Sequence, residues 1–428
     1  MPPHIPRKSP SLGIRLNQDT YAPGDTITGH IYRQKPIVSP LVRAVCKLQG
    51  FTSAGRMHKC GDKALSLLKD DWGQPDIYQG PLHIEIDDEE RWSFSLRIPL
   101  FADEDRASGR YGPSFIPAGE RHQLPPTYVL RTAATGDGPL LNTYVEYFVF
   151  AKMTINSHGK EEELSAIQPF NMVLYSPDPP IADFKVKRWI HRQSFASRKL
   201  APGRQEVKMS LLEKLKSSFR PNPEFYFDLL VDVPTIIQLD NPIPIPFRLA
   251  ARPKWEKTSE IIRDVPQSVK LVAVNVELVT CTRTIAAREG YPWETRLDLG
   301  VSKAIQNLKR DIYVTSDPID IGKLINFRIG LENAGFQVSW TRKQDGFTPS
   351  FKTFNIEVTH ELRYSIHGKV QGEKFAADGK QAVVILRSSG GLPQNNSENP
   401  QVREDDESWI VPPPEEAPTS LAEEILAR

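Results

Sequence analysis

Apolar and polar residues alternate with a period of two along most of the chain, the pattern of strands that bury one face. Leu12, Ile14 and Leu16 alternate with Gly13 and Arg15. The run Tyr21-Ala22-Pro23-Gly24-Asp25 then supplies a turn: Pro23 fixes φ, Gly24 tolerates positive φ, and Asp25 can bond nearby backbone. Ile27 and Ile31 flank Gly29 in a second strand, and Val42, Ala44, Cys46 and Leu48 share a face of a third. A helical turn is predicted near Ala64 to Leu68. Leu82, Ile84 and Ile86 alternate again. Trp92, Phe94, Leu96 and Ile98 oppose Ser93, Ser95 and Arg97, and Pro99 ends that strand because it has no N–H for the ladder. A polar loop covers Phe101 to Gln123. The stretch from Asn142 to Ile155 is apolar on both faces, as in a central strand, and Phe170 to Tyr175 closes this half.

The second half repeats the texture. Phe225 to Leu230, Val233 to Leu239 and Pro244 to Ala250 are short strand candidates between prolines. Val272, Val274, Val276 and Leu278 are expected on one strand face, followed by Leu297 and Leu299, a brief helix within Ser302 to Asp311, and Phe327, Ile329 and Leu331. Phe354, Ile356, Val358 and Leu362 line a further strand, and Val383 to Leu386 form the last. The pattern predicts an all-β protein of two antiparallel β-sandwiches. The expected divisions are a flexible 1–10, a sandwich over 11–175, a basic linker over 176–221, a second sandwich over 222–388 and an acidic tail over 389–428. No sequence repeat between the halves is visible.

Charge changes this picture in two places. The 428 residues carry a net charge of +1, which marks neither a nucleic-acid binder nor a disordered chain. Between Asp183 and Arg220, however, eleven Lys or Arg face three acids. Val207, Leu211, Leu212, Leu215 and Phe219 recur there at helical spacing, predicting an amphipathic helix over 205–219. The charge run reads as a solvated linker or as a patch for anionic lipid built from Lys185, Lys187, Arg188, Arg192, Arg198 and Lys199, with Trp189 and Phe195 as interfacial anchors. From Gly391 onward nine acids face two basic residues. Disorder is expected of that tail, either as a frayed end, as a docking peptide, or as a strap over the basic connector. No apolar run approaches the ~18 residues of a membrane span, and the N-terminus has no apolar signal core. Cys46, Cys60 and Cys281 are too few and too scattered for a disulfide scaffold or a zinc site and are expected as reduced thiols.

No catalytic constellation is legible. Phosphate-binding Gly loops and a Gly-x-Ser-x-Gly elbow are missing from the sequence. His360 and Glu361 adjoin in a strand, where neighbours point to opposite faces. The expectation is a non-enzymatic protein without metal or cofactor. One motif names a partner: Pro125-Pro126-Thr127-Tyr128 satisfies the PPxY pattern that WW domains read through a polyproline II turn.

Four ordered segments also resemble the arrestin N-terminal domain: Tyr21-x-Pro23-Gly24-Asp25 with Gly29, then Leu48-Gln49-Gly50, then Phe94 through Pro99, and finally Leu124 to Tyr128 followed by Val145 through Ala151. The second half resembles the arrestin C-terminal domain more loosely, through Phe354 to Val358, Leu362-Arg363-Tyr364 and Val383 to Leu386. The resemblance implies an arrestin fold of two immunoglobulin-like sandwiches, as in the arrestin-related trafficking adaptors of fungi. It implies binding of cytosolic segments of membrane transporters or receptors, at the plasma membrane or endosomes, for endocytosis. It also implies recruitment of HECT-type ubiquitin ligases through WW domains, for which Pro125, Pro126 and Tyr128 are the candidates. The same Pro125 to Tyr128 run overlaps the family's own strand lead-in, which gives Tyr128 a packing role instead. A retromer-like scaffold without a ubiquitin role is the alternative within the class, and a ligand-binding or hydrolytic β protein the alternative outside it.

Overall fold

Two β-sandwiches on one strand plan make up the structure, a computed structural model that describes residues 12–56, 65–69, 73–103, 114–117, 120–131, 141–157, 160–201, 222–263, 265–285, 292–330 and 347–389. The first contains β1 (Gly13–Leu16), β2 (Thr20–Tyr21), β3 (Thr26–Arg33), β4 (Ile37–Arg56), β5 (Leu65–Ser66), β6 (Gly73–Ile84), β7 (Glu90–Arg97), β8 (Tyr128–Arg131), β9 (Leu141–Ser157) and β10 (Lys160–Met172). One sheet runs β1-β3-β7. The other runs β2-β10-β9-β4-β5, with β6 on β4 and β8 on β9. The second sandwich contains β11 (Lys187–Ala196), β12 (Glu224–Val233), β13 (Ile236–Gln238), β14 (Arg248–Pro253), β15 (Val269–Thr284), β16 (Pro292–Asp298), β17 (Ile312–Val314), β18 (Ile319–Asp320), β19 (Phe351–Lys352), β20 (Ile356–Val370) and β21 (Glu373–Leu386). Its sheets run β11-β12-β14-β18 and β13-β21-β20-β15-β16, with β17 on β15 and β19 on β20.

The two plans superimpose strand by strand. β12, β14 and β18 stand for β1, β3 and β7, and β13, β21, β20 and β15 stand for β2, β10, β9 and β4. Even the short parallel pairings match, β2 on β10 and β13 on β21. Among the described strands, β11 alone has no counterpart in the first half. The chain therefore repeats in topology where it shows no repeat in sequence, because pairing depends on period and burial rather than on particular residues.

Local chemistry accounts for the first strands. Gly24 sits at φ 92, and the Asp25 carboxylate accepts the Ala22 N–H at 2.7 Å. Gly29 pairs with Leu16 on β1 and Phe94 on β7, and a Cβ there would strike the Arg15 carbonyl. Ile27, Ile31, Val42, Ala44, Cys46 and Leu48 are all buried, as the alternation requires.

Some expectations are corrected. Ile86 is exposed, because β6 ends at Ile84 and the chain turns through Asp87 at φ 70. A β-bulge between Leu271 and Ala273 shifts the phase of β15, so Leu271 is buried and Val272 exposed. Leu65 to Leu68 belong to β5 and the bend after it rather than to a helical turn. The brief helix in the second half is present at Val301–Asn307. Strand β10, with Glu161, Glu162 and Glu163 near its start, pairs with β9 from Ser157 back to Tyr147. The largest correction concerns the connector. Lys187–Ala196 is not linker but β11, paired along its whole length with β12. The predicted helix over 205–219, the flexible 1–10, Cys60 and the tail beyond Ser389 lie outside the described residues.

Candidate functional site

The sandwiches meet along a seam, and the PPxY segment is built into it. Pro125 and Pro126 are buried. The Pro125 carbonyl accepts the hydroxyl of fully buried Tyr147 at 2.8 Å. Thr127 donates its N–H to the Met172 carbonyl, and its hydroxyl accepts the Met172 N–H at 2.7 Å. Tyr128 opens β8, and its side chain crosses to the second sandwich. Its hydroxyl lies 2.7 Å from Oγ1 of Thr282, and its ring meets Phe351 edge-on with centroids 5.4 Å apart. Burial raises the Tyr128 hydroxyl above its ordinary range. A WW groove needs both prolines and the tyrosine ring on its aromatic surface. Here those groups are already packed, so the segment acts as a strut between sandwiches.

The other side-chain hydrogen bond across the seam comes from residues with no periodic signature. Thr52 at the end of β4 donates its hydroxyl to Oδ1 of Asn355 at 2.7 Å, both side chains being buried. The Ile285 N–H bonds the Asn355 carbonyl, which holds that turn in place. Phe354, Ile356 and Val358 join the apolar core of the first sandwich. The His122 ring stands edge-on to Phe354 at 4.7 Å. Its buried Nε2 has no hydrogen-bond partner among the described residues, and burial pushes its pKa down to about 4. The Phe115 N–H bonds the Phe354 carbonyl, and Arg283 lies over the Phe115 ring. Arg283 and Lys352 both pair with buried Glu357, at 2.7 and 2.9 Å.

The predicted lipid patch is divided by the fold. Ten residues of strand separate its two ends, roughly 30 Å at the usual rise. At one end Lys185, at φ 46, and Lys187, over Trp189 at 4.8 Å, are exposed without a carboxylate partner among the described residues. At the other end Arg198 bonds Asn222, and Lys199 pairs with Glu373 at 3.6 Å. Between them Arg188 makes a two-pronged pair with Asp232, 2.7 and 2.8 Å, which raises the guanidinium pKa. Trp189 and Phe195 are not interfacial anchors. They alternate inward with His191 and Gln193, where Trp189 bonds Gln381, His191 meets the Tyr364 hydroxyl at 3.0 Å, and Phe195 packs on Phe375.

The outward face of this sheet is organised in rows across β11, β12 and β14. Arg188, Asp232 and Arg248 form one row, continued by Asp320, which Arg248 reaches at 3.0 Å. Ile190, Leu230 and Ala250 form the next. Arg192, Asp228 and Arg252 form the third, with Lys254 on Asp228 at 3.0 Å. An apolar row thus lies between a row of balanced charge and a row in which three cations face one carboxylate. The alternation that makes β11 a strand is present in the sequence, but the density of positive charge disguises it.

Among the described residues, no cluster of three or more His, Cys, Asp or Glu side chains could hold a metal. Burial raises the Cys46 thiol to about 12, so it packs rather than reacts. Among the described residues, no helix is long and apolar enough to cross a membrane. No protein-family model matches the chain, and no curated protein matches it. Fold and surfaces define the class directly: an all-β protein of two docked sandwiches.

Proposed function

We propose that this chain is a non-enzymatic, arrestin-like adaptor that binds cytosolic segments of membrane cargo and directs their trafficking. The single observation that carries the proposal is the tandem of sandwiches with matching strand plans, locked by a polar and aromatic seam. Three of the four arrestin-like segments occupy structurally demanding places within it: the Tyr21–Asp25 turn with Gly29 between two strands, the Phe94 strand and the Tyr128 strut. Such an object offers broad sheet faces and edges, which suit peptide recognition by complementary pockets and strand addition.

Recruitment to the plasma membrane or endosomes would draw on Lys185, Lys187 and Arg192, which have no carboxylate partner among the described residues, each adding roughly 1 kcal/mol beside an anionic leaflet. Ligase recruitment through Tyr128 is left out of the proposal, because WW binding requires the seam to open. That burial favours the retromer-like version of the adaptor, which moves cargo without ubiquitin.

The test is an array of cytosolic segments from membrane transporters and receptors, probed with the full-length chain. The expected result is saturable binding to a subset of segments, lost in scrambled controls. Uniform absence of binding, together with turnover of a small molecule by the purified chain, would overturn the proposal.

A further inference from the structure

We infer that the free edge and outward face of β11 are the docking site for the chain's own acidic segment, residues 404–411, held as an added strand. The inference stands apart from the adaptor proposal and would survive its failure. Strand β11 is the extra strand of the second sandwich, and among the described residues its backbone bonds only β12. Among the described residues nothing pairs with the other edge of its ten residues, the kind of edge that accepts another strand unless something covers it. Ile190 is 58% exposed on that edge. Lys185, Lys187, Arg192 and Arg252 are exposed with no carboxylate partner among the described residues, in contrast to Arg188, Arg248 and Lys254. The acids within the three rows, Asp228, Asp232 and Asp320, are already engaged by those three, and Glu224 at the far end accepts the Tyr226 hydroxyl.

The matching occupant is in the same chain. Glu404, Asp405, Asp406 and Glu407 precede Ser408, Trp409, Ile410 and Val411, so four carboxylates adjoin a short run of strand formers. The path is short. β21 pairs through Val384 with Ile236, whose N–H bonds the Phe184 carbonyl just before β11. The chain leaves β21 past Ser388, whose carbonyl accepts the Ser176 N–H at 2.8 Å. Residues 390–403 reach up to about 45–50 Å when extended, against roughly 33 Å for the length of β11. The eight residues 404–411 can therefore reach either end of the strand and pair with most of its ten residues. Opposite charges across such a pairing favour the right register and screen out with salt.

Hydrogen exchange on the full-length chain tests this. The amides of residues 187–196 are expected to exchange at least about fivefold faster in high salt and in the variant Glu404→Gln, Asp405→Asn, Asp406→Asn, Glu407→Gln than in the wild type at low salt. A urea midpoint equal to that of the wild type is the control that the variant folds. A photo-crosslinking residue at position 409 supplies the second readout, with crosslinks to residues 185–196 expected within single chains. Exchange of β11 indifferent to the tail charges would overturn the inference. So would crosslinks found only between two chains, or formed only when anionic vesicles are added.

Discussion

Removing the Tyr128 hydroxyl isolates the polar contact that joins the sandwiches. In Tyr128→Phe the ring stays against Phe351, but Oγ1 of Thr282 loses the hydroxyl 2.7 Å away. Thr282 is 1% exposed, so water cannot replace the lost partner. A buried hydroxyl left unsatisfied costs about 1–2 kcal/mol. Thr282→Val should cost a similar amount, because it strands the tyrosine hydroxyl instead. The double variant removes both polar groups, so its loss should fall short of the sum by about 1 kcal/mol. Tyr128→Ala also deletes the ring and should cost about 3–5 kcal/mol. Urea titration of the full-length chain measures all four, with the slope constant across the hydroxyl variants. A WW-domain pulldown on the same proteins should capture neither wild type nor Tyr128→Phe. Strict additivity in the cycle, or capture of the native chain through Pro125, Pro126 and Tyr128, would refute the placement of this segment.

Three further outcomes follow from the geometry. His122 and His360 both sit near pKa 4, pushed down by burial from about 6.5, so each favours the neutral, folded form. Their stabilisation is full above the unfolded value and is lost as pH falls from about 6.5 to 4, at about 2 kcal/mol each by pH 5; His122→Gln should flatten that part of a pH-resolved urea series. Gly29→Ala should destabilise by about 2–3 kcal/mol, since the new methyl meets the Arg15 carbonyl and must part β1 from β3, lowering the thermal midpoint. Arg188→Ala leaves the carboxylate of Asp232, 6% exposed, without its bidentate partner and should cost about 1–2 kcal/mol, whereas Lys187→Ala and Arg192→Ala should each stay within about 0.5 kcal/mol.

Strands with a clean two-residue period were legible because one face is core and the other solvent. Trp92, Phe94, Leu96 and Ile98 are all buried, as are Val274, Val276 and Leu278. Legibility failed where another force set the pattern. The bulge at Leu271 and Ala273 changed phase without changing residue type. Glu161 to Glu163 give β10 no alternation there, because their side chains are exposed while the backbone pairs with β9. In β11, positive charge drowned the alternation of Trp189, His191, Gln193 and Phe195. The seam was the least legible part. Thr52, His122, Thr282 and Asn355 come from four separate segments, and only the docking of two sandwiches brings them together. Tyr128 carried a signal through the motif that overlaps it, and Phe354, Ile356 and Val358 through their alternation, but neither pattern told that the two segments meet.

The account rests on broad surfaces, not reacting groups, meeting membrane cargo. Proximity labelling with the full-length chain in its native cells tests this most directly. The predicted result is enrichment of transporters or receptors at labelled sites in their cytosolic loops and tails, without WW-domain ligases among the strongest signals. Labelling confined to soluble enzymes, with no membrane protein enriched over an unrelated β-sandwich control, would contradict it.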